Sequence, residues 1–161
     1  PKPSSQRQMC IRDSGNEPSH HITHMYNYVN RPWRTQELVD SVLYNQYFNA
    51  PDGLSGNEDC GQMSAWYILN SMGFYQVCPG KPVYSIGRPL FEEVTINLPD
   101  RKTFVIRTHN NSKTNKYIES VLLNGKPLDV PFFTHDDLVR GGMMEITMSP
   151  VPTEWGKQVK N

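Results

Sequence analysis

The stretch 55-SGNEDCGQMSAWYILNSMGFY-75 places two carboxylates, Glu58 and Asp59, between glycines and directly ahead of a largely apolar segment. Ala65, Ile68, Leu69 and Met72 fall at i, i+3, i+4 and i+7, so the spacing predicts a helix over about 59–72 with that face inward. Met63, Trp66 and Tyr67 cover its other faces, and a helix apolar all round is interior to something larger. Gly73 is a natural stop just past its end. Charges at the mouth of such a helix are expected to be partly desolvated, which is costly unless they are paired or used. Two uses compete. Asp59 can cap the helix, with Gln62 three residues on completing a capping box, and acids suit the positive end of the helix dipole. Or Asp59 is a working carboxylate, on a backbone that Gly53, Gly56 and Gly61 leave free to take unusual dihedrals.

Upstream, the chain also reads as helical. Pro18 suits a first helical position, and Ile22, Met25, Tyr26 and Val29 repeat the one-face spacing. Arg31-Pro32 ends that segment. Thr35 is placed to cap a second helix, about 35–49, with Val39, Val42 and Leu43 inward. Downstream of 79-PGKP-82 the period changes from helical to alternating. Strands are predicted at 83–86, around Val94, Ile96 and Leu98, at 103–108, at 117–123 before the hairpin signal Asn124-Gly125, and around Met144, Ile146 and Met148. Thr134 is placed to cap a short helical turn at 135–139, and Gly141-Gly142 reads as a turn into the last strand. Helices followed by strands in separate blocks define an α+β chain or two domains.

The balance of 16 basic and 16 acidic residues argues against a nucleic-acid or anionic-membrane partner, since both select a basic face. The apolar runs are too short for a membrane-spanning helix. Three cysteines, Cys10, Cys60 and Cys78, are too few for a disulfide scaffold and lack the spacing of a zinc site, and whether Cys60 and Cys78 pair is left open. Eight Tyr and three Trp are many for this length and suit sugar-facing surfaces as well as ordinary cores. Residues 8-QMCIRDS-14 match a translated transposon-end sequencing adapter, so 1–14 are expected to be a non-native scar and the chain a piece of a longer protein.

The two long motifs 15-GNEPSHHITHMYNYVNRPWRTQELV-39 and 53-GLSGNEDCGQMSAWYILNSMGFYQVCPG-80, followed by 82-PVYSIGRPLFEEVTINL-98 and 121-VLLNGKPL-128, resemble glycoside hydrolase family 92, the calcium-dependent exo-acting α-mannosidases. The resemblance implies a C-terminal piece: residues 15–80 as the last helices of an (α/α)6 barrel and 81–161 as a closing antiparallel β-sandwich or sheet. It implies hydrolysis of terminal α-linked mannose from glycans with inversion, assisted by Ca2+. A periplasmic, cell-surface or secreted location follows from the same resemblance.

An inverting glycosidase needs one carboxylic acid to protonate the leaving oxygen and one carboxylate to activate water, about 6.5–9.5 Å apart. Carried over from the family's loop before the last barrel helix, the base is Asp59. Many relatives carry a carboxylate where this chain has Asn57, which is left to orient the water as a neutral partner. Glu58 is the weaker candidate for the base and a candidate sugar contact. The partner acid is not identified in this chain: in the family it lies well upstream of the GNEP motif, and Glu17 is not assigned to that role, so the piece alone is expected to be inactive. Asn16, Glu17 and Asp59 are the candidate Ca2+ ligands, oxygen donors as a hard cation requires. Asn16 and Glu17 are also candidate mannose contacts, although helix capping ahead of Pro18 competes. His20 and Trp33 are candidate substrate-binding residues, with packing as the alternative for each. His20, His21 and His24 lack the spacing of a zinc site, and Trp66 reads as core. The competing reading of the whole chain is a non-catalytic carbohydrate-binding or structural module.

Overall fold

The computed structural model describes residues 15–54 and 56–157. The expected scar at 1–14 lies outside the described residues. Two 3-10 segments, Glu17–Ser19 and Ile22–Val29, come first. Helix α1 (Pro32–Asn45) and helix α2 (Gln62–Met72) follow. Then come β1 (Phe74–Tyr75), β2 (Val83–Ile86), β3 (Glu93–Asn97), β4 (Thr103–His109), β5 (Tyr117–Leu123), β6 (Lys126–Pro127) and β7 (Phe132–Thr134). Short helix α3 (His135–Arg140) and β8 (Gly142–Ser149) close the order.

The strands form two sheets that share one apolar core. The smaller has the order β1-β2-β7 and is antiparallel throughout. The larger has the order β3-β4-β8-β5-β6. Phe74, Ile86 and Phe133 of the small sheet meet Phe104, Ile106, Ile118, Val121, Met144, Ile146 and Met148 of the large one, with Leu138 of α3 and Trp155 completing the cluster. Phe104 and Phe133 stack across the gap at 6.0 Å between centroids. The alternation predicted for β4 and β8 is therefore the alternation that fills this core.

The expected antiparallel sheet is corrected at one pairing: β4 runs parallel to β8, with Phe104 opposite Gly142 and His109 opposite Thr147. A parallel neighbour needs a long crossover, and the chain from β5 to α3 supplies it. The hairpin at Asn124-Gly125 forms as expected, both residues lying in the left-handed region at φ 52° and 76°. Asn124 Oδ1 also accepts from the Met143 N–H at 2.9 Å, occupying space that a Cβ on Gly142 would need. Thr134 caps α3 through a full capping box with Asp137.

The helical block departs more from expectation. α1 starts at Pro32, so Thr35 lies inside the helix and is buried, while Val39, Val42 and Leu43 are buried as predicted. The segment before it winds as 3-10 and turns the other way round. His20, Thr23, His24 and Asn27 are buried, whereas Ile22, Met25 and Val29 are 42 %, 44 % and 61 % exposed. In α2 the fully buried face is Met63, Trp66 and Asn70; of the predicted face Leu69 and Met72 pack against the β core, whereas Ala65 is exposed and Ile68 is 56 % exposed. Met63 and Trp66 join Val39, Val42, Leu43 and Tyr47 in a second core.

A buried polar network explains how the polar face of the Ile22–Val29 segment is tolerated. His24 Nε2 donates to Asn70 Oδ1 at 2.8 Å, and its Nδ1 accepts from the Ser85 hydroxyl at 3.0 Å. Asn27 Nδ2 donates to Ser85 Oγ at 2.7 Å and to the Ile86 carbonyl at 2.9 Å. These bonds offset most of the cost of burying the groups, Asn27 Oδ1 alone of them having no partner among the described residues, and they tie the first segment to α2 and β2. Among the described residues no helix is long and apolar enough to cross a membrane.

Candidate active site

The mouth of α2 is built from a tight left-handed turn. Asp59, Cys60 and Gly61 take φ values of 52°, 58° and 94° in succession. Left-handed dihedrals cost a non-glycine residue roughly 1–2 kcal/mol each, and such strain clusters where a side chain must be aimed. The capping reading of Asp59 is corrected here. Gly61 is the N-cap residue, and the carboxylate that satisfies the first turn is that of Glu58. Glu58 Oε1 accepts from the Ser64 N–H at 3.1 Å, and Oε2 from the Ser64 hydroxyl at 3.0 Å. Glu58 is thus occupied inside the protein, and Asp59 is released from capping.

Asp59 instead meets Glu17. The Glu17 carboxyl is raised above its ordinary range, first by a hydrogen bond to Asp59 and then by the negative charge of Asp59. Both groups are exposed, which corrects the expectation of desolvated charges at this mouth: the helix lies under a shallow surface in these residues. Carboxyls in contact stand closer than the roughly 6.5–9.5 Å that separates the acid and base of an inverting pair. Asn16 lies beside the pair. Its Oδ1 accepts from the Glu17 N–H at 2.9 Å and sits 3.1 Å from where a Cβ on Gly56 would be, so a side chain at 56 would crowd the Asn16 amide. Asn57 is exposed in the same loop.

His20 is buried beneath these turns, stacked on Trp66 at 5.0 Å between ring centroids. Its Nε2 faces the Gly15 carbonyl at 3.3 Å and the Tyr47 hydroxyl at 3.5 Å. Its Nδ1 faces Gln62 Nε2 at 3.4 Å. Gln62 in turn donates to the Tyr75 hydroxyl at 3.3 Å. Burial lowers the His20 pKa, while the Gly15 carbonyl and the Asp59 charge pull it back. Trp33 is not brought to this cluster. It lies in the first turn of α1, and Tyr47 just beyond the far end of α1 touches His20, which separates them by about 20 Å of helix axis. Trp66 is fully buried, as expected of core. Cys60 and Cys78 are both free and exposed thiols.

The donors fit a share of a Ca2+ site. Two carboxylates in contact and an amide carbonyl beside them are hard oxygen donors, and a dication would relieve the repulsion between the two acids. Among the described residues no group of three His, Cys, Asp or Glu side chains gathers as a metal site, so the remaining oxygens of a six- to eight-fold shell would come from elsewhere. A separate cavity of about 410 Å³ opens beside the site, walled by Tyr47, Phe48, Leu54, Tyr67 and Ile68, with the Glu58 partner Ser64 on its rim.

The cluster thus sets a carboxylate on a strained turn beside a second acid and an amide. The sequence profile of the glycosyl hydrolase family 92 catalytic domain matches residues 2–150, and the chain belongs to that family. It is similar to a family 92 α-mannosidase from Bacteroides thetaiotaomicron solved in complex with mannoimidazole, at 41 % identity and a TM-score of 0.83 over 87 % of this chain and 18 % of that one. It is similar to a family 92 inverting mannosidase from the same organism, at 43 % identity and a TM-score of 0.84 over 89 % of this chain and 20 % of that one. It also matches an uncharacterised secreted glycosidase of Arthroderma benhamiae, 34 % identical over 145 residues, covering 88 % of this chain and 19 % of the relative. The chain thus spans about a fifth of the length of the relatives it matches.

Proposed function

We propose that the chain is the C-terminal part of an exo-acting, inverting α-mannosidase that releases terminal α-linked mannose from glycans. Residues 15–80 would supply the last helices of an (α/α)6 barrel and 81–161 the closing β region. In this reading Asp59 is the general base. It takes a proton from water as the water oxygen bonds to the anomeric carbon, and the glycosidic C–O bond breaks on the opposite face. The leaving oxygen takes its proton from a carboxylic acid outside this piece, so the piece alone is inactive. Asn57 orients the water. Asn16 and Glu17 would hold Ca2+ with Asp59 beside it, and the ion would supply charge that holds and distorts the terminal mannose. The kinship with a secreted glycosidase supports a periplasmic, cell-surface or secreted site of action.

The observation that carries this reading is the exchange of roles at the helix mouth: Glu58 does the capping, so the Asp59 carboxylate is exposed and unburdened by the helix. The test is mannose release from α-mannobiose by the full-length protein, with Ca2+ or with chelator, for the wild type and Asp59→Asn. Calcium-dependent release that Asp59→Asn abolishes supports the reading. Release that survives Asp59→Asn moves the base elsewhere. Binding of mannosides without release from any of them points to the carbohydrate-binding alternative, which Asn57 in place of a carboxylate motivates.

A further inference from the structure

The two turns of the candidate site come from distant parts of the chain, and neither carries the other by local geometry. Asn16 and Glu17 sit on the first 3-10 turn, and Asp59 on the left-handed turn before α2. Beneath the contact of the two turns themselves, one buried side chain reaches both. We propose that His20 is a positioning residue, tying the Glu17 turn to the Asp59 turn through its two ring nitrogens without itself touching the sugar. The proposal rests on the reading of Asp59 as the base.

The geometry assigns the roles of the ring. The Gly15 carbonyl is acceptor-only, so the proton sits on Nε2 and is donated to Gly15, which fixes the start of the Asn16–Glu17 turn. Nδ1 is then a lone pair, and it receives the Gln62 amide, the first residue of α2. Glu17 precedes His20 by one 3-10 turn, and Asp59 precedes Gln62 by the strained turn, so the His20–Gln62 contact draws both carboxyl-bearing turns to one place. The ring cannot easily move aside. It stacks on Trp66, Trp66 Nε1 donates to the His20 carbonyl at 3.1 Å, and the Tyr47 hydroxyl closes the Nε2 side. At 2 % exposure with both nitrogens engaged, His20 has no atom left to offer a substrate. Misplacing a reacting group by about 1 Å can cost 10²-fold in rate, and that is the scale expected of losing the tie.

The experiment uses the full-length protein with three substitutions. His20→Ala is expected to lower kcat on α-mannobiose by about 10²-fold while KM stays within about 3-fold. His20→Gln, which restores an N–H donor for Gly15, is expected to recover about a tenfold part of the loss. Gln62→Leu cuts the same tie from the other side and is expected to reproduce the kcat loss, which keeps the test open if His20→Ala does not fold. A raised KM with kcat unchanged would make His20 a sugar contact and overturn the proposal. So would a loss that His20→Gln does not relieve and that follows a fall in Tm. The second measurement is a crystal structure of the His20→Ala or Gln62→Leu protein, which needs no activity. The Glu17 carboxyl is expected beyond hydrogen-bond reach of Asp59; its remaining in place overturns the proposal even if the wild type releases no mannose, a result that would sink the function reading separately.

Discussion

The helical block buries a set of polar side chains beside its apolar core, whereas the β block fills its core chiefly with apolar ones, although both are written in apolar periodicities. In the β block the apolar positions of β4, β5 and β8 go inward, and the two sheets complete each other's core. In the segment Ile22–Val29 and in α2 the polar His24, Asn27 and Asn70 are inside, while Val29 and Ile68 face out. The difference teaches that periodicity locates an apolar stripe but not its partner. The β block carries both halves of its core within this chain. The helical block shows water an apolar face at 61 % exposure of Val29 and 56 % of Ile68, in a chain about a fifth the length of its relatives.

The largest expected effect sharpens the role of the helix mouth. In the full-length protein Asp59→Asn should lower the rate of mannose release by about 10²–10⁴-fold, the span of general-base catalysis, whereas Glu58→Gln should chiefly weaken the α2 cap. Comparable rate losses for both, measured on α-mannobiose, would break the exchange of roles described for the two acids.

Next comes the inner core of the helical block. Trp66→Ala removes a fully buried ring that stacks on His20 and Tyr47, and should cost about 3–5 kcal/mol in denaturant unfolding. A cost under about 1 kcal/mol would show that this second core does not carry the block.

The buried polar network gives a pH dependence of similar size. Burial lowers the His24 pKa from 6.5 to about 4, against a smaller opposing contribution from Asn70. The folded state therefore holds His24 neutral where the unfolded chain would bind a proton. Stability is complete above about pH 6.5 and falls as pH drops towards 4, by about 3 kcal/mol in all. Burial shifts His20 in the same direction. Denaturant titrations at pH 7 and pH 4.5 measure the loss, and His24→Asn should flatten it; an unchanged slope in that variant would assign the dependence to other groups.

Ile68→Ser and Val29→Ser test the outward apolar face directly. Each should cost at least about 1.5 kcal/mol in the full-length protein if polypeptide outside this segment covers them. A change within about 0.5 kcal/mol, as expected of a watered surface, would mean that the helical block ends here. The smallest effect belongs to the β block: Thr134→Ala removes the capping box of α3 and should cost about 1 kcal/mol by thermal unfolding.

Much of the β block was legible because its signals are local. Alternation at Met144, Ile146 and Met148, the Asn124-Gly125 turn and the Thr134 cap each depend on a few neighbouring residues, and each stands in the structure where the sequence predicts it. The short strands β1 and β7 were not legible, because two or three residues carry no period. The parallel pairing of β4 with β8 was hidden for another reason: strand direction is set by what the chain does between them. At the candidate site, the loop 56–61 and the turn at 16–17 were legible as places. Their residues' roles were not. The spacing from Asp59 to Gln62 fits a capping box, yet the backbone turns left-handed there and hands the cap to Glu58.

By itself, then, the sequence determined the order of the longer helices and strands, the Asn124-Gly125 turn, the Thr134 cap, the family and the loop that carries Asp59, since all of these are written in adjacent residues. Only the tertiary structure decided which face of each helical segment is inside, that Glu17 meets Asp59, and that His20 is held on both ring nitrogens. Those outcomes depend on contacts between residues far apart in the chain, where a polar group is buried only if its partners arrive with it.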